Sequence, residues 1–449
     1  MTSALEKYAT SSVPRYTSYP TAPHFVSEFP ESVYRGWLAQ LDQDEPISLY
    51  LHVPFCKQMC WYCGCNMKLA ARYEPVATYF KHLLDEVELL ADAMPARMPV
   101  AHLHFGGGTP TVLDPDDLAT LMAVIADRFR LVENAELAIE SDPRTLTDAM
   151  VEKIGAIGFT RASFGVQEFD PKVQKAINRI QPPDMVENAM DRFRSVGVNK
   201  LNFDLIYGLP YQTAEDLRRT VEQCIEMKPD RVALFGYAHV PWVASNQKMI
   251  PTEALPTPVQ RAEQARAAAD ALVKGGYVRI GIDHFALPGD TLAEAAKNGA
   301  LHRNFQGYTP DASPTLIGIG ATSIGRTPSG YVQNISETGA YMRAVAAGKL
   351  PVARGHAFKD QDELRAHVIE RIMCDGKVDL TAAGQQFGVA DDWYANEREA
   401  IEQLQTDGVI TYGNGQLALT AAGQPLARVV AAVFDTYLRN SSVRHSIAV

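Results

Sequence analysis

The chain has no apolar run near the roughly eighteen residues that would span a bilayer, so no membrane association is expected. Its first ten residues, MTSALEKYAT, lack a basic stretch followed by an apolar one, which argues against a secretory signal and for the cytoplasm. It has no excess of positive charge. Lys and Arg number 42 against 53 Asp and Glu, and the net charge of −11 argues against a nucleic-acid surface. A polyanionic substrate would need a local basic patch, because the overall field repels it. No heptad pattern or long exposed apolar stripe appears, so a monomer is expected. Cysteine is scarce and unevenly placed. Cys224 and Cys374 stand alone in helical patterns, so no second pair exists to complete a structural zinc site. What remains is an ordinary globular composition, 46% hydrophobic over 449 residues, enough for one large domain with one or two appendages.

The other four cysteines, Cys56, Cys60, Cys63 and Cys65, share the run HVPFCKQMCWYCGCN. The first three have the spacing C-x3-C-x2-C. Three thiolates on one tight loop can hold a [4Fe-4S] cluster and leave one iron without a protein ligand. An open iron can bind and activate a substrate, as a catalytic zinc site does with its open position. Zinc and idle thiols are the competing readings. A Cys63–Cys65 disulfide would be strained, and free thiols suit a reducing cytosol.

Residues 1–46 are polar with scattered aromatics and prolines, and are expected to be a segment that reaches the active site. From residue 47 short apolar runs alternate with amphipathic ones. Strands are expected at 47–53, 100–106, 136–141, 161–166, 199–208 and 231–238, and helices at 76–94, 116–129 and 148–158, with further helical patterns between. Alternation of this kind implies a parallel sheet with right-handed crossovers. The expected fold is α/β, an incomplete (βα)6 TIM-like barrel over 47–240. Residues 241–354 read as a mixed extension completing the active site, with a helical run near 258–274. Residues 355–449 read as a mostly helical, winged-helix-like domain whose hairpin turns at Asn414-Gly415. Between 356 and 425 it has only Lys359, Arg365, Arg371, Lys377 and Arg398 against twelve acidic residues. That favours a lid or packing role over DNA binding.

In such barrels chemistry gathers at the C-terminal ends of the strands. The motifs obey that rule. The cysteines follow strand one, and Gly106-Gly107-Gly108-Thr109-Pro110 follows strand two, where glycine permits close approach to a ligand or simply a tight turn. Glu140 ends strand three, where a carboxylate can accept both hydroxyls of a ribose, or can be solvated. Asp204 lies inside an apolar strand, NFDLIYG, and needs a partner or a ligand. Arg179 could be that partner. His302-Arg303-Asn304-Phe305-Gln306-Gly307-Tyr308 is too polar for a core segment and reads as an active-site loop. His52 and His104 point from strands and are given no catalytic role.

These runs, with PRYTSYPT at Pro14 to Thr21, GVQEF at Gly165 to Phe169 and DLIYGLP at Asp204 to Pro210, carry a resemblance. From about residue 14 onward the chain resembles the oxygen-independent coproporphyrinogen III oxidases, or dehydrogenases, of the radical S-adenosylmethionine (SAM) superfamily. The resemblance itself implies the (βα)6 barrel. It implies Cys56, Cys60 and Cys63 as ligands of a [4Fe-4S] cluster, with Cys65 shaping the site. It implies one SAM met by Tyr50, Gly107, Glu140 and Ile324, and a second met by Tyr62, Gly108, Thr109, Gln167, Arg179, Asp204 and Ala238. Tyr50, Phe305 and Gln306 fall near the reacting groups. The implied reaction cleaves SAM reductively to a 5′-deoxyadenosyl radical, which takes hydrogen from the β-carbon of a propionate. Two propionates of coproporphyrinogen III become vinyl groups, giving protoporphyrinogen IX. A reducing donor such as flavodoxin or ferredoxin is implied. Arg303, and secondarily Arg15, are expected to clamp substrate propionates. The rivals are a haem-binding chaperone of the same fold and a radical SAM enzyme that opens or methylates another tetrapyrrole. The fourth cysteine, the PRYTSYP segment and the HRNFQGY loop argue against both.

Overall fold

The computed structural model describes residues 7–8 and 11–438. It divides into two compact units. One comprises Val26–Pro256 and Ser313–Ala357; the other comprises the chain up to Phe25, Thr257–Ala312 and the chain from Phe358.

The first unit is built on parallel strands β1 (Ile47–Val53), β2 (Pro99–Gly107), β3 (Arg130–Ser141), β4 (Arg161–Gln167), β5 (Lys200–Tyr207) and β6 (Arg231–Gly236). Each pairs with the next in sequence order. Helices α1 (Glu74–Ala93), α2 (Pro115–Arg128), α3 (Asp148–Ile157), α4 (Pro183–Ser195) and α5 (Ala214–Met227) occupy the crossovers. The α/β fold expected from the alternating pattern is therefore present. Every residue of β1 except Tyr50 is buried, as a strand covered on both faces requires. Phe105, Phe164, Phe193 and Phe203 are fully buried, and the Phe164 ring meets Phe193 edge-on at 5.3 Å.

Local chemistry sets the helix starts. The Asp114 carboxylate accepts from the Asp116 amide at α2, and the Thr147 hydroxyl from the Met150 amide at α3. Thr213 and Asp216 form a reciprocal capping box at α5.

The sheet stays open. On the far side of β1 lies β7 (Leu316–Ile319), parallel to it, with Gly318 opposite Tyr50. Antiparallel strands Ile324–Thr327, Gly330–Asn334 and Val352–Ala357 extend that edge. A buried carboxylate fixes the turn after β7. Glu86 of α1 accepts from the Gly320 amide at 2.7 Å, the Asn334 amide at 2.6 Å and the Tyr341 hydroxyl at 2.6 Å. Two strand boundaries differ from the sequence reading by more than one residue. The third strand begins at Arg130 rather than 136, and the sixth ends at Gly236 rather than 238. The Tyr237 amide still donates to Tyr207 O at 2.8 Å, while its ring is buried with Val173, Ile177, Leu209 and Ile250.

The second unit has its own core. Leu364, Val368 and Ile372 of helix Asp362–Asp375 pack with Leu380, Trp393, Ile401, Leu404 and Phe434. Strands Lys377–Asp379, Ile410–Gly413 and Gln416–Leu419 form a small antiparallel sheet. The wing-like hairpin turns at Asn414 and Gly415, both at positive φ (50° and 79°). Tyr16 and Tyr19 are buried in this core. Residues 302–309 form a separate hairpin, His302–Asn304 against Gly307–Thr309, which puts Phe305 and Gln306 at its tip.

Candidate active site

The cysteine loop leaves β1 and is held at its start. The Gly108 amide donates to Val53 O at 2.9 Å and the Thr109 amide to Phe55 O at 2.8 Å. This explains the glycine triplet. A Cβ on Gly108 would stand 2.6 Å from Phe55 O, and one on Gly106 would stand 2.8 Å from Glu140 Oε1. Gly107 has φ +112°, and a Cβ there would strike the His52 ring. The triplet lets the loop, the Glu140 carboxylate and the Tyr50 ring crowd around the end of β2.

A second set of side chains anchors the loop's backbone. The Asn246 amide donates to Cys60 O and Trp61 O, both at 3.2 Å, and to Cys63 O at 2.9 Å. Gln247 donates to Tyr62 O at 2.8 Å, and Asn178 to Met59 O at 2.7 Å. None of these three stood out in the sequence, because an isolated Asn or Gln in a polar run carries no spacing signal.

The thiols meet donors and cations. Arg144 Nη2 lies 3.2 Å and Arg179 Nη1 3.4 Å from Cys60 Sγ, and the Thr109 hydroxyl lies 3.3 Å from Cys56 Sγ. Both guanidinium groups converge on Asp142, with Arg144 at 2.6 Å and Arg179 at 3.4 Å. Burial alone would raise the Asp142 carboxyl, but Arg179 and then Arg144 hold it below the usual range. Asp142 and Arg144 are site residues that sequence reasoning missed; SDPR after a strand reads as an ordinary turn. Cys63 is pulled below an ordinary thiol by hydrogen bonds from the Cys65 thiol and amide and by Arg179. Burial pushes Cys56 up to about 12, so a metal centre there would displace its proton.

Among the described residues, no three His, Cys, Asp or Glu side chains are gathered tightly enough to ligate a single metal ion. That disfavours the zinc reading. It does not oppose a cluster, in which each thiolate meets a different iron. Three thiols on one loop beneath two guanidinium groups fit an anionic iron–sulfur centre. Cys65, exposed and donating its amide to Cys63 Sγ at 3.4 Å, braces the loop.

Next to the loop the strand ends form a polar concavity. Tyr50 stacks on His104 at 5.8 Å, and its hydroxyl lies 3.1 Å from His52 Nδ1. Burial, reinforced by the Glu140 charge, keeps that hydroxyl protonated. His52 Nε2 reaches Asn66 O at 3.2 Å; burial lowers its pKa and keeps the ring neutral. Glu140 is held by His104 Nε2 and the Gly107 amide, each at 3.2 Å. Ile324 lies beyond β7, its backbone against Gly318, which pairs with Tyr50. Gln167 ends β4 at φ 70°, a strained conformation for a side-chain-bearing residue, and its Oε1 is buried without a hydrogen bond. Arg179 donates to Gly165 O and to Gln181 Oε1, and its Nε is buried without a partner. Gly165 makes room for both, since a Cβ would lie 2.7 Å from Gln167 Nε2 and 3.2 Å from Arg179 Nη2. Asp204, opposite Gly165 in the sheet, makes no hydrogen bond among the described residues. Burial and then the Glu140 charge raise its carboxyl to about 7. Ala238 lies just past β6. Unsatisfied buried polar atoms at adjacent strand ends are what a polar ligand would satisfy.

In the second unit the Arg303 side chain is buried. Its guanidinium stacks on Tyr308 at 4.3 Å, approaches Asp283 at 4.0 Å and donates to Arg15 O at 3.4 Å. Its Nε and Nη1 have no hydrogen bond.

Comparison with known proteins places this geometry. Residues 50–224 match the family model described as the radical SAM superfamily. The chain is 45% identical over 442 residues to the oxygen-independent coproporphyrinogen III oxidase of Bradyrhizobium diazoefficiens, covering 98% of each chain. The chain belongs to the oxygen-independent coproporphyrinogen III oxidase family. The Paracoccus denitrificans member is 42% identical over 443 residues, covering 97% of this chain and 96% of its own. Among solved structures, coproporphyrinogen III oxidase (HemN) from Escherichia coli, a radical SAM enzyme, superposes with a TM-score of 0.91 at 35% identity, covering 97% of this chain and 98% of its own. Membership of this superfamily implies a [4Fe-4S] cluster and SAM. No helix among the described residues is long and apolar enough to cross a membrane.

Proposed function

We infer that this oxidase-family chain decarboxylates two propionates of coproporphyrinogen III oxidatively, giving the two vinyl groups of protoporphyrinogen IX without oxygen. The observation that carries the reading is the thiol loop beneath Arg144 and Arg179, opening beside Gln167 Oε1 and Arg179 Nε, both buried without a hydrogen bond, and beside the Asp204 carboxylate. A bound cluster and SAM would supply the organic radical that starts the reaction. The chain's residues bind and orient. Cys56, Cys60 and Cys63 would hold the cluster. Tyr50, Gly107, Glu140 and Ile324 would receive one SAM, with the Glu140 carboxylate accepting ribose hydroxyls. Tyr62, Gly108, Thr109, Gln167, Arg179, Asp204 and Ala238 would receive a second SAM. Phe305 and Gln306 would lie near the reacting groups. The Nε and Nη1 of Arg303, which make no hydrogen bond, suit a substrate propionate, which would compete with the long ion pair to Asp283. The enzyme would work in the cytoplasm as a monomer, reduced by a carrier such as flavodoxin or ferredoxin.

The test is an anaerobic assay with reconstituted cluster, dithionite, SAM and coproporphyrinogen III, followed by chromatography. Protoporphyrin with two equivalents of 5′-deoxyadenosine is expected, and sustained turnover in air is not. Deoxyadenosine without a vinyl product would move the substrate elsewhere. Haem retention without either product would favour the chaperone.

A further inference from the structure

The cysteine loop adjoins an exposed apolar patch that the proposed reaction does not use. Trp242 and Val243 are 70% and 75% exposed, and Ile180, Tyr211 and Met249 are also exposed. All five lie on segments fastened to the loop or to each other. The Trp61 amide donates to Ile177 O at 2.9 Å, and Asn178 reaches Met59 O. Asn246 and Gln247 bind loop carbonyls from Cys60 to Cys63. Lys172 sits over the Tyr211 ring at 4.4 Å. Beneath them Val173, Ile177, Leu209, Tyr237 and Ile250 form one cluster, with Trp61 and Tyr62 packed against it.

The charge on these segments is one-sided. Residues 57–63, 171–181, 207–211 and 240–250 contain no Asp or Glu, although the whole chain carries −11. They present Lys57, Lys172, Lys175 and Lys248 to solvent. An apolar patch rimmed by cations, on an otherwise acidic protein, selects an acidic macromolecule with an apolar contact face. Its place on the loop that would hold a redox centre selects among acidic partners.

We propose that this patch docks an acidic one-electron carrier protein. The carrier's reduced centre loses one electron and is oxidised; that electron enters at the cysteine loop. Trp242 and Val243 supply apolar contact, while Lys57, Lys172, Lys175 and Lys248 steer approach. Asn246 and Gln247 keep the docked face in fixed relation to Cys60 and Cys63. The proposal rests on the reading that the loop holds a reducible cluster.

The probe is a purified flavodoxin and the protein is the reconstituted holoenzyme. Calorimetric titration with oxidised flavodoxin should show saturable binding that weakens with added salt. A Lys57→Glu, Lys248→Glu double variant should bind about tenfold more weakly, and Trp242→Ala should weaken binding at both low and high salt. Stopped-flow bleaching by reduced flavodoxin should slow in parallel, while bleaching by dithionite and dithionite-driven turnover stay at wild-type level. Unchanged flavodoxin binding in the variants would overturn the docking assignment. So would an equal loss of dithionite-driven turnover, because the patch would then serve the fold or the porphyrin. If wild-type protein held no iron, or dithionite failed to bleach it, the cluster reading would fail instead.

Discussion

A single carboxylate shows how the site trades stability for ligand binding. Asp204 is desolvated and faces the Glu140 charge, which together push its carboxyl up to about 7, and no donor among the described residues offsets them. The folded state therefore holds this proton more tightly than the unfolded chain, where the carboxyl is ordinary. Its unfavourable contribution is absent at acid pH and grows as pH rises from the ordinary carboxylate range through about 7. Asp204→Asn keeps the shape and removes the charge. Ligand-free Asp204→Asn should melt at the wild-type temperature at acid pH and a few degrees higher above neutrality. Melting curves across pH give the answer, and a gap that does not widen with pH would show that Asp204 is solvated. The same substitution should weaken SAM binding, since the wild-type charge is what a cationic ligand would neutralise.

At the scale of elements, the cysteine loop carries almost no regular structure and depends on side chains from elsewhere. The two N–H groups of the Asn246 amide are shared among three of its carbonyls. At roughly 0.5–1.5 kcal/mol per hydrogen bond, Asn246→Ala removes enough to loosen the loop without unfolding the sheet. The expected result is faster iron loss to a chelator with a nearly unchanged global melting temperature. Equal chelation rates would mean that the β2 junction alone holds the loop. The strands and helices of the sheet were legible in the sequence because each has a long apolar period. The apolar run over 47–53 predicts a strand, and β1 occupies Ile47–Val53. The anchors were not legible, because Asn246, Gln247 and Asn178 act through tertiary contacts that leave no period. Arg144 was missed for the same reason; its significance lies in a 3.2 Å approach to a thiol far away in the sequence. Strand Gly330–Asn334 and its neighbours were also hard to read, since short strands broken by glycine and polar residues lack clear alternation.

At the scale of the whole molecule, chain ends far apart in sequence share one core. The Tyr16 hydroxyl donates to Asp435 at 3.0 Å, and the Tyr19 hydroxyl lies 3.0 Å from that of Thr436. The Arg428 guanidinium donates to Pro14 O at 2.9 Å and to Val13 O. Tyr16 is 4% exposed and shares a core with Leu364 of helix Asp362–Asp375 and with Phe434. Its N-terminal segment is therefore structural as well as adjacent to Arg15, whose carbonyl accepts from Arg303. Tyr16→Ala should cost about 3–5 kcal/mol, as truncation of other large buried aromatics does. Tyr16→Phe removes only the bond to Asp435 and should cost roughly 1–3 kcal/mol, because that carboxylate stays buried with one donor fewer. Hydrogen exchange localises the effect. Amides of helix Asp362–Asp375 should lose protection in Tyr16→Ala, while those of β1 and β2 keep theirs. Loss of protection confined to the first twenty or so residues would show that the N-terminal segment frays independently of the core.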